Sequence, residues 1–493
     1  MSSRKSFSVL RWISLILIFG AVLLSIIQLV RYSRVRSNFP PGLVIAGVPV
    51  GGLNQTEAAE RLTEAYGVPV ELHYQDAIIQ IKPALVGFSL DMTAMLAAAD
   101  LQRINQPFWE AFWAYLWGNL QQPQEVPLIA TISEERLRNY LVTEITPRYD
   151  QLSTPAMPVV GSYTFSSGKP GSTLDIERAV VLIKDALRSP SARIVNLTYN
   201  RSASTRPSYS VLVTMLKQLV DVAQFDGVVE VYLKDLETGE EVDFGYDNGK
   251  DLPSDIAFTA ASTMKIPIMM TIFKRTAEPT PQYISDQLVS MIRFSENGPA
   301  DKLLQDVVDI NLGPLAVTND MKALGLKNTF LAGYFAPGAP LLQRIKTPAN
   351  SREDVNTSPD VYNQTTPAEM GSLLNDIYDC SEYGGGALMA VFNGEVSQAE
   401  CKQMVTLLEQ DRIGVLIQAG LPDGARVAHK HGWITDVDGY IHTIGDSAVV
   451  YSPRGDYILS IFMNHPQQLV FDTANTLFIK LSSAVYNYYN QYQ

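Results

Sequence analysis

The segment AASTMKIPIMM, residues 260–270, places a serine and a lysine three positions apart, where a polar loop gives way to an apolar stretch. If the segment is helical, Ser262 and Lys265 lie one turn apart on the same face. One interpretation is structural, with Ser262 as a helix cap and Lys265 as a solvated side chain of the first turn. The other is catalytic, with Lys265 as the base that activates the Ser262 hydroxyl.

Two further motifs follow the first one along the chain. SENG, residues 295–298, comes after a helical pattern, and KHG, residues 430–432, opens a strand pattern. S-x-x-K alone is a weak signal, but the ordered set S-x-x-K, S-x-N and K-x-G is one that chance rarely assembles. The set therefore favours the catalytic interpretation of Ser262.

The pattern around these motifs predicts an α+β domain. GVVEVYLKDLETGEEVDFGYD reads as a hairpin, a long region of helical periodicity follows, and VAHKHGWI, HTIGDSAVVYSP and GDYILSIFMN read as three successive strands before a final helix at residues 473–492. We expect one five-stranded antiparallel sheet with flanking helices and a helical subdomain.

Together the motifs resemble those of the serine β-lactamase and penicillin-binding protein superfamily, and of its class A β-lactamase branch in particular. The resemblance covers roughly residues 205–493. NGPADKLLQDV and LAVTNDMKALGLKNTFL are similar to the helices after S-x-N in that branch, TTPAEMGSLLNDIY to the helix after its Ω-loop, and HKHGW and GDSAVVYSP to its catalytic strand and the next one.

The resemblance implies a nucleophile, a base and a proton relay. Ser262 would form an acyl-enzyme, Lys265 would take its proton, and Ser295 would pass a proton to the leaving nitrogen. Asn297 would hold Lys265 and the amide side chain of the substrate. A lysine that is desolvated and lies near other cations has the lowered pKa that such a base needs. No metal or cofactor is expected.

The resemblance also implies a substrate-binding strand. Lys430 would supply positive charge for a substrate carboxylate, and Gly432 would let the substrate lie close against the strand. The backbone N–H groups of Ser262 and Trp433 would form the oxyanion hole, where loss of one donor typically costs about 2.7–4 kcal/mol of transition-state stabilisation.

The sequence departs from the family pattern at the middle residue of K-x-G. That residue is normally a hydroxyl that binds the substrate carboxylate, and here it is His431. Regular strand pairing would point His429 and His431 to the face opposite Lys430. We interpret His429 as structural, whereas the role of His431 stays open.

The second departure concerns deacylation. Class A enzymes carry E-x-x-L-N on the Ω-loop, and residues 341–364 contain no such stretch. Glu353 lies at about the right distance upstream of TTPAEM and is the candidate deacylation base. The alternative is that Glu353 and Asp354 are solvated loop carboxylates. Acylation of Ser262 is therefore predicted, whereas fast deacylation lacks its usual residue.

Charge and composition limit the partners. The chain has 51 acidic and 38 basic residues among 493, with a formal net charge of −13, which argues against a nucleic-acid partner. The five histidines lack H-x₃-H or HExxH spacing and the two cysteines lack C-x₂-C spacing, so no zinc site is predicted. Cys380 and Cys401 are either a disulfide of an oxidising compartment or two buried free thiols.

Residues 12–30 carry no charge and have about the length of a bilayer-spanning helix. A cleaved signal peptide is the alternative, but RYSRVRS follows instead of a small-residue cleavage site. We expect an uncleaved single-pass anchor. The flanking arginines and lysine are balanced and leave the orientation open. Because β-lactams and peptidoglycan stem peptides occur outside the membrane, residues 38–493 are placed there.

The expected domains are a tail and transmembrane anchor (1–37), an α/β region (38–200), a polar linker (201–208) and the catalytic domain (209–493). VIAGVPVGGLNQTEAAERL and PGSTLDIERAVVLIKDAL resemble the peptidoglycan-binding repeat found beside cell-wall transpeptidases; a plain spacer is the alternative. Trp109, Trp113 and Trp117 share one helical face. We interpret this face as core packing or a domain interface, ahead of glycan stacking or membrane contact.

The sequence thus predicts a membrane-anchored, extracytoplasmic serine hydrolase, a β-lactamase acting on β-lactam amides. The alternatives are a D-Ala-D-Ala carboxypeptidase or esterase, and a β-lactam-binding cell-wall sensor that stays acylated.

Overall fold

The computed structural model describes residues 4–119 and 122–490, with side chains from residue 11 onward. The first three residues of the predicted tail and the last two of the predicted final helix lie outside the described residues. The chain forms two compact units. One comprises Met1–Ser153 and Pro170–Ser202, and the other comprises Thr154–Lys169 and Ala203–Gln493.

The helices, in chain order, are α1 Arg4–Arg36, α2 Gln55–Gly67, α3 Met92–Ile104, α4 Phe108–Leu116, α5 Glu134–Tyr140, α6 Thr146–Tyr149, α7 Ile176–Leu187, α8 Tyr209–Val222, α9 Lys265–Phe273, α10 Gln282–Arg293, α11 Asn297–Leu303, α12 Gly313–Ala323, α13 Pro367–Tyr383, α14 Ala387–Val391, α15 Gln398–Leu408 and α16 Phe471–Asn490. The strands are β1 Val44–Ile45, β2 Val48–Pro49, β3 Val70–Tyr74, β4 Ala77–Ile81, β5 Ser89–Leu90, β6 Ala130–Thr131, β7 Met157–Pro158, β8 Phe165–Ser166, β9 Gly171–Leu174, β10 Ile194–Asn196, β11 Tyr199–Ser202, β12 Val228–Asp235, β13 Glu241–Asp247, β14 Lys250–Leu252, β15 Phe258–Thr259, β16 Phe330–Leu331, β17 Asn363–Thr365, β18 Arg426–Thr435, β19 Ile441–Tyr451 and β20 Tyr457–Asn464.

The first unit begins with α1, whose stretch Arg11–Arg36 is long and apolar enough to cross a membrane. Beyond it, β3 pairs with β4 as an antiparallel hairpin, and β10 adds in parallel to β3. Helices α2 and α7 pack on this small sheet through residues such as Leu62 and Ile183. Asn54 caps α2 by accepting hydrogen bonds from the N–H groups of Thr56 and Glu57.

Helix α4 corrects one expectation from the sequence. Trp109, Trp113 and Trp117 do share one face, but their side chains are 62%, 57% and 75% exposed. The helix packs instead through its neighbouring face, where Ala111 and Phe112 are buried. Core packing of the tryptophans is therefore wrong, because periodicity predicts a shared face but not what covers it.

The second unit is built on an antiparallel sheet with the strand order β14-β13-β12-β20-β19-β18. It has six strands rather than the predicted five. The additional edge strand arises because Asn248 and Gly249 both have positive φ and form a two-residue hairpin turn that pairs Asp247 with Lys250. The α+β class and the antiparallel sheet with flanking helices are confirmed.

Both faces of this sheet are covered by helices. On one face, α8 and α16 pack against alternate residues of the strands, such as Val231 of β12 and Ala448 of β19. On the other face, residues such as Tyr232 and Ile458 pack against α13 and the helical subdomain. Strand β18 forms one edge of the sheet, and the Ser262 turn contacts the sheet there.

A hairpin from upstream also belongs to the second unit. Strands β7 and β8 pair antiparallel, and the Phe165 ring lies 6.0 Å from the Tyr488 ring of α16. The functional division of the chain into anchor, α/β region, linker and catalytic domain stays a prediction.

Candidate active site

Ser262 lies in a tight 3-10 turn, Ala261–Met264, that leads from β15 into α9. Its predecessor Ala261 has φ +46°, a left-handed conformation that is strained for a residue with a Cβ. The Asn363 side chain fixes this conformation, because its Oδ1 accepts a 2.7 Å hydrogen bond from Ala261 N–H. The turn therefore presents the Ser262 side chain in a defined position.

Lys265 is fully buried one turn after Ser262, and its amine joins the first two motifs. Nζ donates to Ser262 Oγ at 2.7 Å, to Ser295 O at 2.7 Å and to Asn297 Oδ1 at 2.8 Å, and it lies 3.4 Å from Ser295 Oγ. The structure thus brings together four predicted site residues. They are the predicted nucleophile Ser262, base Lys265 and proton relay Ser295, and the Asn297 amide that is predicted to hold the base.

The surroundings of Lys265 lower the pKa of its ammonium group to about 7. Burial is the largest cause, since removing the amine from water disfavours its charged form, and the charge of Lys430 adds to it. The carboxylates of Asp301, Asp411 and Glu296 act in the opposite direction. A substantial fraction of Lys265 is consequently neutral at pH 7 and able to accept a proton.

Ser295 lies between α10 and α11 and also has a positive φ, +58°. This conformation lets both its carbonyl oxygen and its hydroxyl approach Lys265. Asn297 follows as the first residue of α11. The S-x-N motif therefore contributes in two ways. The positive φ of Ser295 directs its carbonyl oxygen to Lys265, and the side chains of Ser295 and Asn297 lie beside the same amine.

Strand β18 brings the third motif to the Ser262 turn. Its pairing with β19 is regular up to Trp433 and becomes irregular between Trp433 and Thr435. A Cβ on Gly432 would lie 2.7 Å from Ser262 N and 2.8 Å from Ala260 O, which no side chain tolerates. Glycine is thus required because the serine turn itself packs on the strand. This contact places the backbone at Gly432–Trp433 beside Ser262 N.

Lys430 is also fully buried, and it has a carboxylate partner that sequence reasoning missed. Its Nζ lies 3.1 Å from Oδ2 of Asp411, in the loop after α15. Burial lowers the pKa of Lys430, and Asp411 opposes that shift. Burial raises the pKa of Asp411, but His431 and Lys430 outweigh it and hold the pKa well below its usual range. No motif spacing in the sequence points to Asp411.

His431 lies 3.1 Å from the same Asp411 oxygen through Nδ1, in an orientation that does not make a hydrogen bond. Its ring stacks on Trp433 with centroids 4.8 Å apart, and Trp433 in turn packs against the core of α8 and α16. Burial lowers the pKa of His431. His431 therefore lies on the far side of the strand from Gly432, next to the partner of Lys430.

His429 is buried on the same side of β18. Nδ1 lies 3.1 Å from Oδ1 of Asp446, and Nε2 lies 3.1 Å from Oε1 of Gln418. Burial disfavours its protonation, but the Asp446 and Asp411 carboxylates outweigh that effect and raise the pKa of His429. This environment agrees with a structural role.

One group of side chains has the donor types of a cation site. Potential ligand atoms of Asp411, His429 and His431 lie within 4.8 Å of one another, all buried. The H-x-H spacing of His429 and His431 on one strand is the one sequence signal that points to this group. The Lys430 ammonium already supplies positive charge at the Asp411 carboxylate, so a metal ion there would face electrostatic repulsion.

The candidate deacylation base is not brought to the other residues. Glu353 is exposed, and its neighbour Arg352 donates to the carbonyl oxygens of Pro253 and Ser254, beside the edge strand β14. Within the described part of the chain, no hydrogen bond or ion pair joins Glu353 to Ser262 or Lys265. The role of Glu353 stays a hypothesis that the geometry does not favour.

An aromatic ring lies beside Lys265 instead. Lys265 Nζ is 5.4 Å from the centroid of Phe335. Buried Asp301 fixes this loop, because its two carboxylate oxygens accept 2.8 Å hydrogen bonds from the N–H groups of Phe335 and Ala336. Among the residues that the structure describes, no carboxylate makes a hydrogen bond to Lys265.

Cys380 of α13 and Cys401 of α15 form a disulfide, which resolves the alternatives left by the sequence. Both residues are fully buried in the core of the helical subdomain. The bond joins two helices that pack on each other and on the face of the sheet opposite α16.

Solved structures and one family model resemble the second unit. PBP-A is 19% identical, covers 58% of this chain and 98% of its own length, and gives a TM-score of 0.40. A β-lactamase from Desulfarculus baarsii is 18% identical, with coverages of 58% and 99% and a TM-score of 0.41. An ancestral class A β-lactamase is 21% identical, with coverages of 56% and 98% and a TM-score of 0.40.

No curated protein matches the chain. The family model Beta-lactamase2, described as the Beta-lactamase enzyme family, matches residues 212–283 and 277–489. The match includes all three motifs and covers more than half of the chain. The predicted resemblance is thereby confirmed, and the chain belongs to the Beta-lactamase enzyme family.

Proposed function

We propose that the chain is a membrane-anchored, extracytoplasmic serine hydrolase that is acylated at Ser262 by β-lactam amides. The observation that carries this proposal is the 2.7 Å hydrogen bond between Lys265 Nζ and Ser262 Oγ, together with a Lys265 pKa of about 7. A neutral amine at this distance has both the geometry and the basicity of a general base near neutral pH.

The acylation step follows from these positions. Neutral Lys265 takes the Ser262 proton as Oγ attacks the amide carbonyl carbon, and the N–H groups of Ser262 and Trp433 stabilise the oxyanion. The carbon–nitrogen bond of the amide then breaks. The proton moves from Lys265 through Ser295 Oγ, 3.4 Å away, to the leaving nitrogen. The product is an ester of Ser262 with the opened substrate attached, and Lys265 is neutral again.

Substrate recognition is assigned to Lys430, Asn297 and the edge of β18. The Lys430 ammonium attracts the carboxylate of the substrate, and the Asn297 amide binds its amide side chain. His431 lies behind the strand, where it contacts Asp411 rather than replacing the usual hydroxyl. Asp411 therefore acts through Lys430 as a positioning residue.

The proposed location rests on two features. Helix α1 is long and apolar enough to cross a membrane, and the Cys380–Cys401 disulfide is typical of an oxidising compartment outside the cytoplasm. Residues 38–200 would then lift the catalytic domain from the membrane or bind peptidoglycan.

A second candidate is a penicillin-binding protein, carboxypeptidase or sensor that keeps its acyl group. Hydrolysis of the ester needs a base that activates water. Phe335 lies beside Lys265, and Glu353 is exposed and separate from it. These two observations favour slow deacylation.

Intact mass spectrometry of the full chain mixed with a penicillin tests both candidates, with Ser262→Ala as the control. A penicilloyl adduct that forms and disappears as the drug is consumed supports a β-lactamase. A persistent adduct supports the second candidate. If the wild-type chain forms no adduct, or Ser262→Ala forms the same one, the assignment of Ser262 is wrong.

A further inference from the structure

Three exposed tryptophans lie next to the end of the apolar helix. Trp109 and Trp113 lie four residues apart on α4, and Trp117 follows directly after its last residue. All three are more than half exposed, and Leu116 is partly exposed. Glu110 is the one charged residue of this nine-residue helix. An exposed apolar surface is typical of a contact site for a protein, a membrane or a ligand.

The position of α4 along α1 is defined by an aromatic cluster. The Tyr32 ring of α1 lies 5.4 Å from Phe108, 5.5 Å from Phe112 and 5.2 Å from Tyr115 of α4. Tyr32 is 5% exposed, so this contact is a packed one. The face of α4 that packs on α1 is therefore different from the face that carries the tryptophans.

The length of the uncharged span indicates the depth in a bilayer at which α4 contacts α1. Residues 12–30 would form about 28 Å of helix, close to the thickness of a hydrocarbon core of about 30 Å. Tyr32 follows two residues later, and Arg31 and Arg34 are exposed beside it. Helix α4 would consequently lie where the hydrocarbon ends and the phosphates begin.

Tryptophan is the residue type enriched at that level, because its ring is apolar and its indole N–H is polar. Arg36 ties the two helices together there. Its Nη2 donates to Gln106 O at 2.9 Å, and its guanidinium carbon lies 5.0 Å from the Phe108 ring centroid. The tryptophans thus lie on a helix that is packed beside the end of the apolar span.

We propose that α4 is an interfacial helix whose Trp109, Trp113 and Trp117 side chains insert into the outer leaflet beside the anchor. The lipid surface is the partner. This inference rests on the proposed membrane anchor and is independent of the acylation chemistry. Its consequence is that the first unit is held against the bilayer by two elements, α1 and α4.

Fluorescence of the full chain in vesicles of phosphatidylcholine and phosphatidylglycerol tests this proposal. Trp12→Phe removes the tryptophan of the span, and bromine atoms on the acyl chains quench tryptophans that they contact. We expect a loss of emission with bromines near the headgroups, and a smaller loss with bromines at the bilayer centre. The variant that also carries Trp109→Phe, Trp113→Phe and Trp117→Phe should lose most of this quenching.

Flotation of the same vesicles separates the two proposals. If the chain floats but bromine leaves its emission unchanged, the interfacial helix is wrong and the tryptophans face water, glycan or protein. If the chain does not float, the anchor is wrong and this inference falls with it. The circular dichroism spectrum and the melting temperature should be equal in all variants, which confirms that each of them is folded.

Discussion

Lys265 and Lys430 are two fully buried lysines, one on α9 and one on β18, that flank the Ser262 turn. Burial is the largest cause of a lowered pKa at both. Their partners differ in charge. Lys265 donates to neutral oxygens of a hydroxyl, a carbonyl and an amide, whereas Lys430 lies 3.1 Å from the Asp411 carboxylate.

This difference assigns the two roles. A buried lysine without a carboxylate partner releases its proton near neutral pH and becomes a base, whereas a carboxylate partner opposes that release and favours a cation. Lys265 also depends on Lys430, because the charge of Lys430 lowers the pKa of Lys265. Under the proposed function, the same residue type would serve for proton transfer and for anion binding.

The largest expected effect comes from removing the base. Lys265→Met should slow acylation of Ser262 by about 10²–10⁴-fold, the usual contribution of a general base. Lys302→Met changes an exposed lysine on the adjacent α11 and is the matched control. Stopped-flow acylation by a chromogenic cephalosporin measures both. A Lys265→Met variant that is as fast as Lys302→Met would show that another group deprotonates Ser262.

A carboxylate added beside Lys265 should remove the main difference between the two lysines, because both would then have a carboxylate partner. Phe335→Glu places an acid where the ring lies 5.4 Å from Nζ, and a well-placed base would shorten the acyl-enzyme lifetime by about 10²-fold. The same acid should slow acylation, because it raises the pKa of Lys265. The time course of the penicilloyl adduct by mass spectrometry gives both rates.

Phe335→Leu is the control for this variant, since it removes the ring without supplying a base. If Phe335→Leu shortens the acyl-enzyme lifetime as much as Phe335→Glu, the Phe335 ring excludes water from the acyl-enzyme. The lack of a carboxylate at this position would then not limit deacylation.

Removing the partner of Lys430 should weaken anion binding. Asp411→Asn removes the nearest counter-charge of buried Lys430, so the pKa of Lys430 falls further and its charged form is disfavoured. A hydrogen bond to a charged group contributes about 1.5–3 kcal/mol, which corresponds to about 10- to 150-fold weaker binding of a carboxylate-bearing β-lactam. The concentration dependence of acylation measures this affinity. Methylation of the substrate carboxylate should remove the difference between variant and wild type.

The matched control is Glu409→Gln, which removes a half-exposed ion pair with Arg426 near the same strand. It should change neither binding nor stability by more than about 1 kcal/mol. Breaking the buried Asp411 pair typically costs about 3–5 kcal/mol of unfolding free energy, so the melting temperature should fall for Asp411→Asn alone. Equal binding by both variants would exclude a positioning role for Asp411.

The sequence predicted the residues that surround Lys265, but it did not predict the carboxylate partner of Lys430. Ser262, Lys265, Ser295 and Asn297 lie within two short motifs, so the ordered set of motifs and its resemblance to the family were enough to predict that they lie together. Asp411 reaches Lys430 from a loop after α15, and no periodicity encodes such a contact. The predicted burial of Trp109, Trp113 and Trp117 was wrong for a similar reason, because a shared helical face does not reveal what lies against it. The edge strand β14 depended on a two-residue Asn248–Gly249 turn that follows directly after the segment predicted as a hairpin.

The smallest expected effect is a shift in a pH profile, and it tests the coupling of the two lysines. The neutral form of Lys265 is the base, so acylation should rise with pH through a midpoint near 7 and level off above it. Lys430→Met removes the cation that disfavours protonated Lys265, so the pKa of Lys265 should rise and the midpoint should move to higher pH. A neutral activated ester is the appropriate substrate, because its acylation does not need Lys430 for binding. An unchanged midpoint would show that burial alone lowers the pKa of Lys265, and a midpoint at lower pH would contradict the assigned charge of Lys430.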